Sequence, residues 1–295
     1  MIIDGHTHIF PESVRRDRIG FCGKDRGFAA IYAHPKARLI GAEELIASMD
    51  EAGVSRAVIC GFPWRDKELC ALHNAYLIES SRRYPGRLIV FILFPFSDPE
   101  WSLQELERGI GEGACGVGEM AFYDRPMSLE GMKALERVFR RMEQWEIPLL
   151  LHANEPVGHL YPGKVQTDLE TIYQFVLAFP GLKILLAHWG GGLFFYELMP
   201  EVARAMKNVF YDTAASPFLY SREIYQVAKR IIGVEKIVFG SDFPLIRPGR
   251  YFEEMERLGL TTEEREKILG SNLLRLLPSK PFLREADEKP KVQPV

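Results

Sequence analysis

Eight short apolar runs, each followed by a longer amphipathic stretch, constrain the fold of this chain more than any other feature of its sequence. They fall at about 1–6, 56–61, 88–94, 114–120, 147–153, 183–189, 208–214 and 236–242. Continuous apolar runs of this length suit strands buried on both faces, and the intervening stretches suit helices that cover them. The clearest helices are AEELIASMDEAG, with Gly53 as its stop, DKELCALHNAYLIESSRRYP, SLEGMKALERVFRRMEQWE and DLETIYQFVLAFPG. The alternation predicts an α/β fold, a (β/α)8 TIM-like barrel, and the 295 residues suffice for one, since such barrels use about 250 residues as a single domain. We expect one barrel domain over 1–280, closed by the helix TTEEREKILGSNLLRLL, and a polar, Pro-punctuated tail over 281–295. The connection 9–41 exceeds the usual few residues, and a loop this long in a compact barrel is a lid, a binding loop or an inserted helical turn.

Composition narrows the partners. A formal charge of −3 offers no basic field for nucleic acid or an anionic membrane. Cys22, Cys60, Cys70 and Cys115 show no CxxC spacing, and the N-terminus MIIDGHTHIF carries neither a basic region nor a long apolar run. These features give the expectation of a cytoplasmic protein with reduced thiols. Its expected partner is a small-molecule substrate, with no nucleic acid and no membrane; homo-oligomerisation is left open.

A parallel barrel gathers the ends of all its strands at one face, and here those ends carry metal-binding and proton-handling side chains. They are His6 and His8 in IIDGHTH, Glu119 in ACGVGEM, His152 in PLLLHA, His188 in KILLAHW and Asp242 in KIVFGSDFP. Residues i and i+2 of a strand share a face, so His6 and His8 can chelate one cation while Thr7 turns away. An HxH pair alone is a weak signal, and a lone strand-end histidine is more often a packed core residue. Four of the seven histidines ending apolar runs is a stronger pattern. Imidazole and carboxylate ligands point to a divalent cation, zinc above others, as one ion or two. Glu119 is placed to bridge two cations or to support one from outside. Asp212, in NVFYDTAAS, reads as a supporting or structural acid, and His73, inside a helix, as a packing or surface residue.

Taken together, DGHTH, LLLHANEPVGH, LLAHWGGG, FGSDFP and the closing SNLLRLL resemble the amidohydrolase superfamily. The branch they resemble most includes aminocarboxymuconate-semialdehyde-decarboxylase-like enzymes. The resemblance implies a distorted barrel with His6, His8, His152 and Asp242 around one cation, and with His188 positioning the attacking water or the substrate. Glu119 departs from that pattern and is similar to the arrangement in TatD-like metal-dependent hydrolases, which can hold two cations.

The expected activity is that of a metal-dependent hydrolase acting through a metal-activated water on a small anionic organic substrate. Asp242 and His188 are its expected catalytic groups. The alternative is a non-oxidative decarboxylase of a small carboxylic acid, and a metal-binding sensor without turnover is a third reading. No GxSxG elbow or GxGxxG fingerprint supports serine or nicotinamide chemistry. The glycines after His188 read instead as permitting close packing beside the site. Arg65, Arg125 and Arg247 follow strand ends and are candidate carboxylate-gripping residues, with Tyr123 and Trp189 among the apolar walls.

Overall fold

The computed structural model describes residues 1–165 and 168–278. The expected tail, 281–295, lies outside the described residues. Eight parallel strands follow one another around a barrel: β1 (Ile3–His8), β2 (Arg56–Cys60), β3 (Leu88–Ile92), β4 (Gly116–Met120), β5 (Leu149–Leu151), β6 (Ile184–Leu186), β7 (Val209–Asp212) and β8 (Ile237–Val238). The last strand returns to the first. Gly5 N–H donates to Phe239 O, His8 N–H to Phe243 O and Asp242 N–H to His6 O, at 2.8, 2.8 and 2.9 Å.

Ile3, Val58, Cys60, Phe91, Leu150, Leu185 and Val238 form one buried cluster within the barrel, with Leu273 and Leu276 of the last helix packed against it. Ile89 and Phe210 pack against the same cluster, and the strand residues Ala57, Ile59, Val90, Ile92, Leu149, Leu151, Ile184 and Leu186 join the larger core beneath the surrounding helices. The apolar runs therefore carry few polar residues until their ends, as burial on both faces requires.

The long connection after β1 holds three short helices, α1 (Glu12–Arg16), α2 (Arg18–Lys24) and α3 (Arg26–Tyr32). Asp17 and Asp25 start the second and third by accepting the Gly20 and Phe28 backbone N–H groups. Phe10, Val14, Phe21 and Phe28 are buried, and Phe28 lies against Phe62 and Trp64 with ring centroids 5.2 and 4.8 Å apart. This segment is thus packed into the core beside the barrel mouth. It leads into α4 (Ala42–Ala52), which ends at Gly53 in the left-handed conformation (φ 70°) that glycine adopts without strain.

α5 (Lys67–Arg83) carries a histidine that the sequence placed at the surface or in packing, and it is fully buried. His73 Nδ1 accepts from Trp64 Nε1–H and Phe62 N–H, and Nε2–H donates to Ile9 O. Burial in this setting drives its pKa down to about 4 from 6.5, against the opposing bond to Ile9 O. Between those values the unfolded chain takes up a proton that the native chain refuses. Stability from this group is complete above about pH 6.5 and is lost as pH falls toward 4, by up to ~3 kcal/mol. Denaturant unfolding from pH 7 to 4 should show this slope, and the difference between wild type and His73→Gln should amount to about one proton.

Candidate metal centre

Regular alternation along β1 and β4 would turn their functional side chains away from the barrel interior. Ile3 joins the interior cluster, and a Cβ at Gly5 would meet Val238 Cγ1 at 2.9 Å, so strict period two sends His6 outward. Likewise Cβ atoms at Gly116 and Gly118 would strike Phe91 and Leu150, which sends Glu119 outward. The pairing register shifts between Asp4 and Thr7 in β1 and between Val117 and Met120 in β4. Such irregularities re-aim side chains, and here they bring His6, His8 and Glu119 into one buried cluster.

The other members sit just past their strands. His152 follows β5, His188 lies two residues beyond β6, and Asp242 lies four residues beyond β8. Free of the ladder, His188 and Asp242 adopt left-handed backbone, φ 55° and 58°, a strained state for side chains of this size. The left-handed run continues through Trp189, Gly190, Gly191 and Gly192. A Cβ on Gly191 would come within 2.2 Å of Asn154 O, so the glycines do permit close packing beside the site.

Each imidazole is held by its outer nitrogen. His6 Nδ1–H donates to Asp212 Oδ2 at 2.8 Å, His8 Nδ1–H to Gly61 O at 3.2 Å and His188 Nδ1–H to Ala214 O at 3.1 Å. Since carbonyls and carboxylates only accept, these bonds leave the three Nε2 lone pairs facing inward. His152 is reversed: Nε2–H donates to Asn154 Oδ1 (2.8 Å) and Gly163 O (3.1 Å), so Nδ1 faces the cluster.

Glu119 is the hub, with one oxygen for each of two trios. Oε2 lies 3.6 Å from Nε2 of both His6 and His8, which are themselves 3.1 Å apart. Oε1 lies 2.7 Å from His152 Nδ1 and 3.5 Å from His188 Nε2. Asp242 Oδ1 joins the first trio, 3.4 Å from His8 Nε2 and 3.8 Å from His6 Nε2. The expected quartet therefore divides: His6, His8 and Asp242 converge, while His152 Nδ1 meets His188 Nε2 at 3.2 Å beside Glu119 Oε1.

This donor set fits a divalent cation. Acceptor lone pairs converge with no fixed donor among them, and ligands 2.0–2.2 Å from one ion stand about 3.3–3.6 Å apart in tetrahedral geometry. The field is cation-seeking as well. Burial pulls the His6 pKa down, yet the Glu119 and Asp212 carboxylates hold it well above its usual value. Burial likewise opposes the charge on His188, but Glu119, Asp242 and Asp212 push its pKa up to about 9. Burial works against an ionised Glu119 too, and His152 and His6 hold its pKa well below the usual range.

The cluster opens into a cavity of about 650 Å³. Tyr32, Phe62, Tyr123 and Phe218 give it aromatic walls, the 154–163 loop adds His159 and Tyr161, and the segment before α4 adds His34, Lys36 and Arg38. Of the proposed substrate contacts, Tyr123 lines this cavity. The three arginines do not. Arg65 pairs with Asp124 at 2.6 Å and, with Arg125, borders a separate small cleft on the wall made by Phe62 and Tyr123. Arg247 reaches outward to Glu51 at 2.9 Å. Trp189 is fully buried in the core, its Nε1–H on Ser216 Oγ. The sequence reading missed Arg38, whose guanidinium lies over the Phe243 ring and has no ion pair among the described residues. Its signal was present, since it lies near the end of the long connection that begins directly after His8.

Residues 3–278 match the model of the Amidohydrolase family. The chain belongs to that family. Among curated proteins, this amidohydrolase-family chain is similar to gamma-resorcylate decarboxylase from Polaromonas sp. (strain JS666), at 21% identity over 91% of this chain and 96% of that protein. It is also similar to gamma-resorcylate decarboxylase from Rhizobium radiobacter, at 24% identity over 80% and 83%. Among solved structures it resembles 5-carboxyvanillate decarboxylase from Novosphingobium aromaticivorans complexed with manganese and 4-hydroxy-3-methoxy-5-nitrobenzoic acid. The TM-score is 0.77 and the identity 16%, covering 94% of this chain and 95% of the other.

Asp212 holds His6 with one oxygen and the His188 and Ala214 backbone N–H groups with the other, at 2.8 and 3.0 Å. Asp212→Asn should weaken divalent-metal binding by about 10–100-fold with the fold retained. Competition against a chromophoric chelator measures this, and unchanged affinity would show that Asp212 does not orient a ligand.

Proposed function

We propose that this chain is a metal-dependent, non-oxidative decarboxylase of a small aromatic carboxylic acid. The choice of decarboxylation over hydrolysis is carried by the curated relatives, two gamma-resorcylate decarboxylases aligned over most of this chain. The cavity supports it, with aromatic walls above a buried cluster of histidines and carboxylates. His6, His8, Glu119 and Asp242 would hold the cation, and the second trio of Glu119, His152 and His188 would hold another if two bind. Manganese, present in the 5-carboxyvanillate decarboxylase structure, is a candidate beside zinc. When bound, the ion supplies Lewis acidity toward an anionic substrate oxygen.

The chain's own residues do the rest. Tyr123 and Phe62, stacked with centroids 5.6 Å apart, give one face on which a flat ring can lie. Arg38 takes the part expected of Arg65, Arg125 and Arg247, gripping a carboxylate with parallel hydrogen bonds. In the reaction the bond from the ring carbon to the carboxylate breaks, its electron pair stays on the carbon, and carbon dioxide leaves. The carbon then takes a proton. His188, at Nε2, and Asp242, at its carboxylate, are titratable groups on the cavity floor, and we assign them that transfer.

Protein loaded with manganese or zinc should release carbon dioxide from hydroxylated benzoic acids in equal amount to the decarboxylated phenol. A chelator should abolish this and added metal restore it. Hydrolysis of lactones, esters or amides, with no carbon dioxide from any acid tested, would overturn decarboxylation in favour of hydrolysis through an activated water. Arg38→Met should raise KM for a carboxylated substrate by roughly tenfold or more while changing kcat far less. Steady-state kinetics on the best substrate found checks this.

A further inference from the structure

We propose that His73 is a positioning residue for the metal centre, locking the ends of β1 and β2 on either side of His8. The proposal rests on the reading of His6, His8, Glu119 and Asp242 as holders of a cation. It concerns a buried imidazole with no place in the reaction described above.

The His73 ring has no exposure, and an imidazole so placed is costly unless its nitrogens are bonded. All of its capacity is used on backbone and on one indole. Trp64 Nε1–H and Phe62 N–H donate to Nδ1 at 3.0 and 3.3 Å, which places the proton on Nε2, and Nε2–H donates to Ile9 O at 2.7 Å. No nitrogen remains for a metal. The partners are what matter. Ile9 follows His8 in the chain, and Phe62 follows Gly61, the residue whose carbonyl accepts His8 Nδ1–H. Ile9 N–H also reaches Cys60 O at 3.3 Å.

His8 is therefore suspended between two backbone points, its own chain and the carbonyl that fixes its tautomer, and one ring clamps both. The clamp is close, because a Cβ on Gly61 would lie 2.8 Å from the His73 ring and 2.6 Å from Leu93 Cδ1. Packing alone would be served by an apolar side chain, as at Leu77 on the same helix. The imidazole adds a fixed distance between the β1 and β2 ends, which sets where His8 Nε2 points. The same bonds hold Phe62 in the cavity wall.

The test compares wild type with His73→Phe, His73→Gln, His73→Asn and, as a packing control, Leu77→Ala. Each chain is stripped with chelator and titrated with manganese, and its cobalt form is examined by visible absorption, which reports ligand geometry. His73→Phe should bind manganese about tenfold or more weakly and show altered cobalt bands. Gln keeps a donor toward Ile9 and Asn an acceptor toward Trp64, so both should fall between wild type and Phe. Leu77→Ala should lower the melting temperature and leave affinity and cobalt bands unchanged.

If His73→Phe does not fold, the Gln and Asn variants carry the comparison. Folded His73 variants with wild-type affinity and cobalt bands would overturn the proposal alone. So would equal weakening by Leu77→Ala, which would mark the effect as general destabilisation. A wild-type chain that binds neither ion would overturn the metal reading and this proposal with it.

Discussion

Asp4 is almost wholly buried, and it accepts the backbone N–H and the hydroxyl of Ser241 at 2.9 and 2.5 Å together with the His6 N–H at 3.2 Å. The two bonds from Ser241 join residues 237 positions apart and sit at the seam where the last strand meets the first. The seam decides whether there is a site at all, because His6 and His8 come from one side of it and Asp242 from the other. The carboxyl group is costly here, since burial raises its pKa to about 7 even against the bonds from Ser241 and His6. An apolar pair would close a barrel more cheaply. The polar latch instead fixes register, and register determines which side chains meet.

Much of this architecture could be read from the chain. Seven of the eight apolar runs contain a whole strand and the first overlaps β1, which continues to His8, and the strand-end histidines and acids meet at one mouth. Legibility stopped at two kinds of feature. Period-two reasoning correctly paired His6 with His8, but it could not show that a shift within β1 turns the pair inward, or that a similar shift in β4 turns Glu119 to meet them. Such shifts arise from pairing with neighbouring strands, which a single strand's sequence does not encode.

Long polar side chains were the other limit. Arg65, Arg125 and Arg247 stand after strand ends as expected, yet a flexible side chain goes where its charge is best neutralised, and for Arg65 and Arg247 that is Asp124 and Glu51. Asp4 drew no role from the sequence and His73 read as a packing or surface residue, because each has ordinary sequence neighbours. Their roles appear only with partners from elsewhere in the chain, Ser241 for one and Ile9, Phe62 and Trp64 for the other. Asp212 was legible as a supporting acid, though not as the support of His6.

The three helices after β1 have an evolutionary consequence. Their aromatic residues Phe21 and Phe28 are core residues, both packed against Trp64 and Phe28 also edge-on to Phe62, and the same segment supplies Tyr32 to the cavity wall. Exchanging the whole segment to suit a new substrate would remove part of the hydrophobic core, so diversification is confined to residues whose loss leaves that packing intact. The stretch 33–38 meets this condition: it lies between α3 and the buried Ile40, and it places His34, Lys36 and Arg38 at the cavity. Six positions can thus be exchanged, and the lining of the cavity with them, while the barrel beneath stays constant.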